Sequence, residues 1–337
     1  MAEKNTYIIY LRVIATVFVV LIHASTGFLY HVDTTTFDWN YANWINAATR
    51  CSVPLFVVIS GALLLQKDEN IGEFYKRRLP KLIYPFIFWT IIYIIYYFYR
   101  YTNFATLSFE KIWDITWDKI LHGANAHLWY LYMIIGLYLT IPFLRKILVQ
   151  CNLKEIELFL LLWFSSMFIS NREFYSIMPK FDLTFFSGYI GYLVLGYYIT
   201  TVDFKWHKLA APIGYITVTL ITAIGTYLLN KKGAKLNTLL YNYVFPTTAT
   251  SAAFLFLWVR QSVTKTGTVP RWILIIDKYS FAIYLSHILP LNFLHPVFSR
   301  HMSTGWVIPL ATISTIITSI LLTFILRKMP YGRYISG

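Results

Sequence analysis

The chain has 337 residues, 57% hydrophobic and only 13% charged, with a mean hydropathy of +0.55. Such a composition places most of the chain in lipid and excludes the pair of soluble domains that its length alone suggests. The net charge of +14 does not mark a nucleic-acid binder, because the basic residues lie between apolar runs rather than in one patch.

Ten apolar runs of roughly membrane-spanning length follow one another. The first four are 7–30, 41–66, 79–101 and 125–145; the next three are 154–171, 184–202 and 208–229; the last three are 238–260, 277–299 and 303–327. The fifth is short, and the ninth contains Pro290 and Pro296, which a membrane helix accommodates as a kink. The first run is too long for a signal-peptide core and no convincing small-residue cleavage site follows it, so it is expected to remain as an anchor. The sequence therefore predicts one all-α, polytopic integral membrane domain over residues 1–337. It has about ten transmembrane helices and no fused soluble domain.

Most Lys and Arg residues fall in one set of alternate loops, including Lys67, Lys76, Arg77, Arg78, Lys81, Arg327, Lys328 and Arg333. By the positive-inside rule those loops, and both termini, are expected in the cytoplasm of a multi-pass protein of the cell (inner) membrane. Lys231, Lys232 and Lys235 disagree, since the alternation puts them outside. In the outer loop 102–124, the residues Phe109, Ile112, Trp113, Thr116, Trp117, Ile120 and Leu121 recur at steps of three and four. That pattern predicts an amphipathic helix lying on the membrane surface. Cys51 and Cys151 form neither a disulfide framework nor a metal-ligand pattern, and both read as structural.

The polar residues inside apolar runs need explanation, because ionisable groups in hydrocarbon usually face a bundle interior or a wet cavity. Arg12 and His23 are eleven residues apart, so they leave one face of the first helix about 16 Å apart along its axis. Arg12 alone is close enough to the helix start to snorkel to headgroups; His23 lies deeper. Arg50 is buried at a depth comparable with His23, and His287 lies near mid-depth in the ninth run. His127, Trp129 and Tyr130 stand together at the start of the fourth. No acidic residue is expected at the depth of Arg12 or Arg50: Glu155, Glu157 and Asp277 fall at inner ends and Asp182 in an outer loop. An unpaired guanidinium of this kind favours an anionic ligand, although Arg50 could equally bond backbone carbonyls freed near Pro54. The Lys76–Lys81 run reads either as topogenic charge or as a grip on the phosphates of a cytoplasmic donor. No P-loop, Gly-rich dinucleotide turn, HExxH or G-x-S-x-G pattern is present.

Five features then occur in order along nearly the whole chain. They are the Arg12-x10-His23 pair, the Val53–Gly61 stretch VPLFVVISG, Arg78-x-x-Lys81, the HLWYL of residues 127–131, and the Tyr279–His287 stretch YSFAIYLSH. Together they resemble the acyltransferase 3 family of multi-pass bacterial membrane proteins. The chain is particularly similar to its short members, such as the O-acetyltransferase of enterobacterial common antigen. The resemblance implies transfer of an acyl group, usually acetyl, from acyl-CoA (acetyl-CoA) to a hydroxyl of a cell-surface glycan or its lipid-linked precursor. It implies no permanently bound cofactor and no metal. By the family pattern, His23 is catalytic and Arg12, Arg77, Arg78 and Lys81 hold the donor. Lys81 departs from that pattern, which usually has a second Arg, and a lysine lacks the bidentate fork. Arg50, Trp129, Tyr130 and His287 are the candidates for the acceptor side. A histidine suits a hydroxyl attacking a thioester, as general base or as nucleophile. The rival classes are a transporter of a small polar molecule or glycan precursor, and a non-catalytic membrane subunit. No inverted repeat supports the first.

Overall fold

A computed structural model describes residues 6–102, 106–169, 186–233, 235–263 and 268–337. The described residues are helical and contain no strand. In chain order the helices are α1 (Thr6–Thr26), α2 (Phe37–Thr49), α3 (Ser52–Leu64), α4 (Ile71–Tyr101), α5 (Phe109–His122), α6 (Trp129–Gln150) and α7 (Leu153–Ile169). They continue with α8 (Ile190–Thr201), α9 (Ala210–Asn230), α10 (Pro246–Ser262), α11 (Arg271–Ser286), α12 (Ile288–Ser299), α13 (Thr304–Leu326) and α14 (Gly332–Ile335).

Among the described residues, six segments are long and apolar enough to cross a membrane, or seven if the bent pair α11–α12 is one span. The other three expected spans also contain helices, but shorter ones: α7 and α10 have 17 residues each and α8 has 12. α8 packs on α3 backbone to backbone. A Cβ on Gly61 would overlap the Leu193 carbonyl, and one on Gly196 the Val58 carbonyl. Small residues let membrane helices approach this closely, and van der Waals contact then holds them where no hydrophobic gradient exists. Asp182 and the end of the fifth expected span lie outside the described residues.

α1 occupies the middle of the bundle, touching α2, α3, α10, α11 and α13. That position explains how it tolerates polar residues, and its Thr16 and Ser25 hydroxyls return to the carbonyls of Arg12 and Leu21. α2 and α3 form one broken span, capped at its start by the Thr36 hydroxyl on the Trp39 N–H.

Two boundaries differ from expectation. Asn70 caps α4, accepting from the Gly72 N–H, so the Lys76–Lys81 run is not a loop but the first turns of a 31-residue helix. The ninth span starts at Arg271 rather than 277 and turns by 81° at His287. Pro290 accounts for the break, because it has no N–H to return to Ser286 and its ring crowds that carbonyl.

α5 has the expected amphipathic form. It is capped by Ser108; Phe109, Trp113, Trp117, Ile120 and Leu121 are all exposed, and the Trp113 and Trp117 rings stack 6.2 Å apart. Both cysteines are free.

Candidate active site

Three histidines meet at the break between α11 and α12. The His23 ring from α1 stands 5.0 Å from His287 and 6.4 Å from His127, and His127 and His287 are 5.0 Å apart. The broken helix supplies acceptors for this cluster. His287 Nδ1 donates to the Tyr284 carbonyl at 2.6 Å, and the Leu285 carbonyl accepts both His127 Nε2 at 3.3 Å and the Tyr93 hydroxyl at 2.9 Å. Tyr284 in turn donates its hydroxyl to the His127 carbonyl. His127 Nδ1 lies 3.1 Å from Asn125 Oδ1, so both its nitrogens face oxygens, to one of which the neutral ring donates its N–H. His23 differs from its neighbours: its ring nitrogens have no hydrogen-bond partner among the described residues, and it is only partly buried whereas the other two are buried. Held by packing, with free nitrogens and an accessible face, it is the ring placed to react.

Below the histidines lies a cavity of about 240 Å³ whose lining includes Tyr130, Tyr284, Tyr138, Ser60, Ser280 and Arg12. Tyr284 connects the two, with its ring 5.9 Å from His287 and 5.0 Å from Tyr130. Arg12 lines this cavity, and the Tyr284 ring stands between it and the histidine cluster. The expectation that Arg12 lacks a carboxylate is incorrect. Asp277 Oδ1 sits 3.0 Å from Arg12 Nε, because α11 begins six residues earlier than the apolar run suggested and carries Asp277 inward to meet it.

Arg50, by contrast, has no carboxylate within ion-pair distance among the described residues. Its Nη2 donates to Asn46 Oδ1 at 3.1 Å and its Nη1 to the Tyr243 hydroxyl at 3.4 Å; its guanidinium lies 4.7 Å from the Tyr241 ring and 5.7 Å from that of Tyr243. Such cation–π contacts hold a guanidinium without neutralising it. Asn46 also donates to Ser25 Oγ, tying this arginine to the His23 end of α1. Trp129 stacks on Tyr243, 5.5 Å apart with planes 30° from parallel, and stands 5.8 Å from Tyr189. The adjacent Trp129 and Tyr130 therefore line different surfaces, Trp129 an aromatic cluster beside Arg50 and Tyr130 the inner cavity.

The basic run is paired rather than free. Arg77 and Arg78 both reach the Glu69 carboxylate, at 3.2 and 2.6 Å. Burial pushes the Glu69 carboxyl up, but the hydrogen bonds and charges of Arg78 and Arg77 outweigh it and hold it below its ordinary value. Buried Arg145 on α6, which the sequence analysis did not single out, donates to the carbonyls of Lys67 and Glu69 and straps the loop down. Lys81 is exposed, with no ion pair among the described residues. Beside this strap lie two grooves. One, of about 480 Å³, includes Arg77, Arg78, Glu69 and Glu73; the other, of about 840 Å³, includes Arg145, Lys146, Asn70 and Tyr197. At the opposite end of the bundle, Leu236 packs with Trp39, Leu29 and Tyr241, which places the exposed Lys231, Lys232 and Lys235 at that end.

Tyr93, Tyr241, Tyr243, Asn46, Glu69 and Asp277 also belong to these constellations, and nothing in their local sequence distinguishes them from other residues of aromatic-rich spans. His127 was visible in HLWYL but had no assigned role.

No curated protein and no solved structure matches the chain. The family model described as an acyltransferase domain, acyltransferase 3, matches residues 5–327. That is nearly the whole molecule, including every residue of the histidine cluster, the Arg12 cavity and the strap. The chain belongs to the acyltransferase 3 family of membrane proteins.

Proposed function

We propose that the protein transfers an acyl group, acetyl in the simplest case, from cytoplasmic acyl-CoA to a hydroxyl of a cell-surface glycan or its lipid-linked precursor, in the cell membrane. The observation that carries this reading is the unpartnered His23 ring on the same helix as Arg12, whose side chain lines a cavity beside the histidine cluster.

In this reading the grooves at the strap receive the nucleotide part of the donor, with Arg77, Arg78 and Lys81 facing its phosphates. The pantetheine arm runs into the cavity past Arg12, over the approximately 16 Å that separates Arg12 from His23 along α1. The thioester then lies beside His23. The acceptor enters from the opposite end, past Trp129 and Tyr243, with Arg50 beside its anionic portion. His23 takes the proton of the attacking hydroxyl as the new C–O bond forms. The C–S bond then breaks, and the proton passes to the departing thiolate, giving an ester and free CoA.

Purified protein in detergent should release CoA slowly from acetyl-CoA without an acceptor, and a strain lacking the gene should lose one acyl group from its surface glycan by mass spectrometry. No CoA release, together with an unchanged surface glycan in the strain lacking the gene, would refute the reading.

A further inference from the structure

We propose that His287 is the positioning residue for His23, forming a histidine pair that takes the place of the carboxylate–histidine pair common at such sites. The inference rests on the reading of His23 as the base and adds what fixes its tautomer.

Three observations carry it. His287 Nδ1 faces a backbone carbonyl, which can only accept, so the ring proton is on Nδ1 and the Nε2 lone pair is bare. That Nε2 is fully buried with no hydrogen-bond partner, in a side chain that is 0% exposed. A buried unsatisfied acceptor costs about 1–3 kcal/mol and calls for a partner. Within the cluster His127 has both nitrogens facing oxygens elsewhere, which leaves His23 to supply an N–H. Two imidazoles joined by an N–H···N bond of about 2.9 Å have centroids about 5 Å apart, which matches the 5.0 Å separation of His23 and His287. The rings are tilted by 48° and not bonded here, and the proposal requires the His23 ring to turn about its Cβ–Cγ bond to make the contact.

The consequence is a defined proton inventory. Neutral His23 donates its one N–H to His287 Nε2, and its other nitrogen carries the lone pair that receives the hydroxyl proton. His23 is then an imidazolium whose second N–H is already held by His287, and it returns the received proton to the thiolate of CoA. His287 gains no proton overall. It keeps the reactive lone pair facing the thioester, as an orienting partner does for other catalytic histidines.

The experiment compares purified His287→Leu, His287→Gln and His23→Ala with the parent protein. It measures kcat and KM for CoA release from acetyl-CoA, acetyl-CoA binding, and thermal stability. His287→Leu should lower kcat by roughly 10- to 100-fold, with KM and acetyl-CoA binding within about twofold of the parent. His287→Gln keeps an acceptor and a donor on a chain of similar reach and should recover most of that kcat. A Leu variant with parental kcat would overturn the proposal. So would Leu and Gln variants whose kcat falls equally and in step with their thermal stability, since that is the mark of a packing role. Loss of activity in His23→Ala together with a parental His287→Leu would remove the pair and keep His23 as base. Activity retained in His23→Ala would remove the underlying reading itself.

Discussion

The molecule handles its buried and half-buried cations in two opposite ways. At the basic end four arginines have partners: Arg12 has Asp277, Arg77 and Arg78 share Glu69, and Arg145 holds two carbonyls of the same strap. Around the histidines, partners are missing. Arg50 has aromatic rings and amide and phenol oxygens but no carboxylate among the described residues, His23 has no hydrogen bond, and His287 Nε2 is orphaned. Unsatisfied polar groups inside a membrane protein are costly. Arg12 Nε and Asp277 Oδ1 make no hydrogen bond but still face each other as an ion pair, whereas His287 Nε2 has no opposite charge beside it among the described residues. On the proposed function, a donor phosphate would replace Glu69 at the basic end, and the substrates would supply the partners that the histidine end lacks.

The largest expected effect lies in the second region. His23→Ala should reduce acyl transfer by about 10²–10⁴-fold while the protein still inserts, folds and binds acetyl-CoA, measured as CoA release alongside donor binding. More than a tenth of parental transfer remaining would exclude His23 as the base.

Arg50→Gln sharpens the same contrast. It should reduce acylation of the surface glycan about tenfold, the scale of one charged hydrogen bond, and leave acceptor-free CoA release within about twofold. Equal losses in both assays would give Arg50 a structural role instead.

At the basic end the effects are smaller, because each change alters an exchange that already has a partner. Arg78→Ala should raise the KM for acetyl-CoA several-fold to about tenfold, and Glu69→Gln should lower it by removing the competing carboxylate. Lys81→Arg should lower it slightly by providing a bidentate fork. An unchanged KM across Arg77→Ala, Arg78→Ala and Lys81→Ala would reduce the run to a topology signal.

The smallest expected effect is on pH response. Glu69 is held below its ordinary value by Arg78 and Arg77, so its bridges are fully present above the ordinary glutamate range, near ~4.3. They are lost as pH falls through the lower, folded-state value. Hydrogen exchange across residues 67–70 should therefore be insensitive to pH from 7 down to about 5, after correction for intrinsic rates, and increase only in stronger acid. Loosening already at pH 6 would contradict the bridge.

Much of this arrangement was legible in the sequence. Composition gave the all-helical membrane class, the eleven-residue step put Arg12 and His23 on one helix, and the three–four spacing gave α5. The gaps have physical causes. Apolar run length cannot tell a lipid-exposed span from a short helix packed inside the bundle, which is why α8, held against α3 through Gly61 and Gly196, looked like a full span. Asp277 was misplaced because hydropathy marks where lipid exposure begins, not where a helix does. Tyr93, Tyr243 and Glu69 join their sites through contacts between distant segments, as the bond from Tyr93 to Leu285 shows, and no local pattern reports them.

On the proposed function, the donor reaches His23 from the basic end of the bundle and the acceptor from the opposite end. Acetyl-CoA does not cross a sealed bilayer, so CoA release should be measured with the donor supplied to inside-out and to right-side-out vesicles from the same cells. The account predicts release in the inside-out preparation, and none in the right-side-out one until it is permeabilised. Equal release from sealed vesicles of both orientations would contradict it.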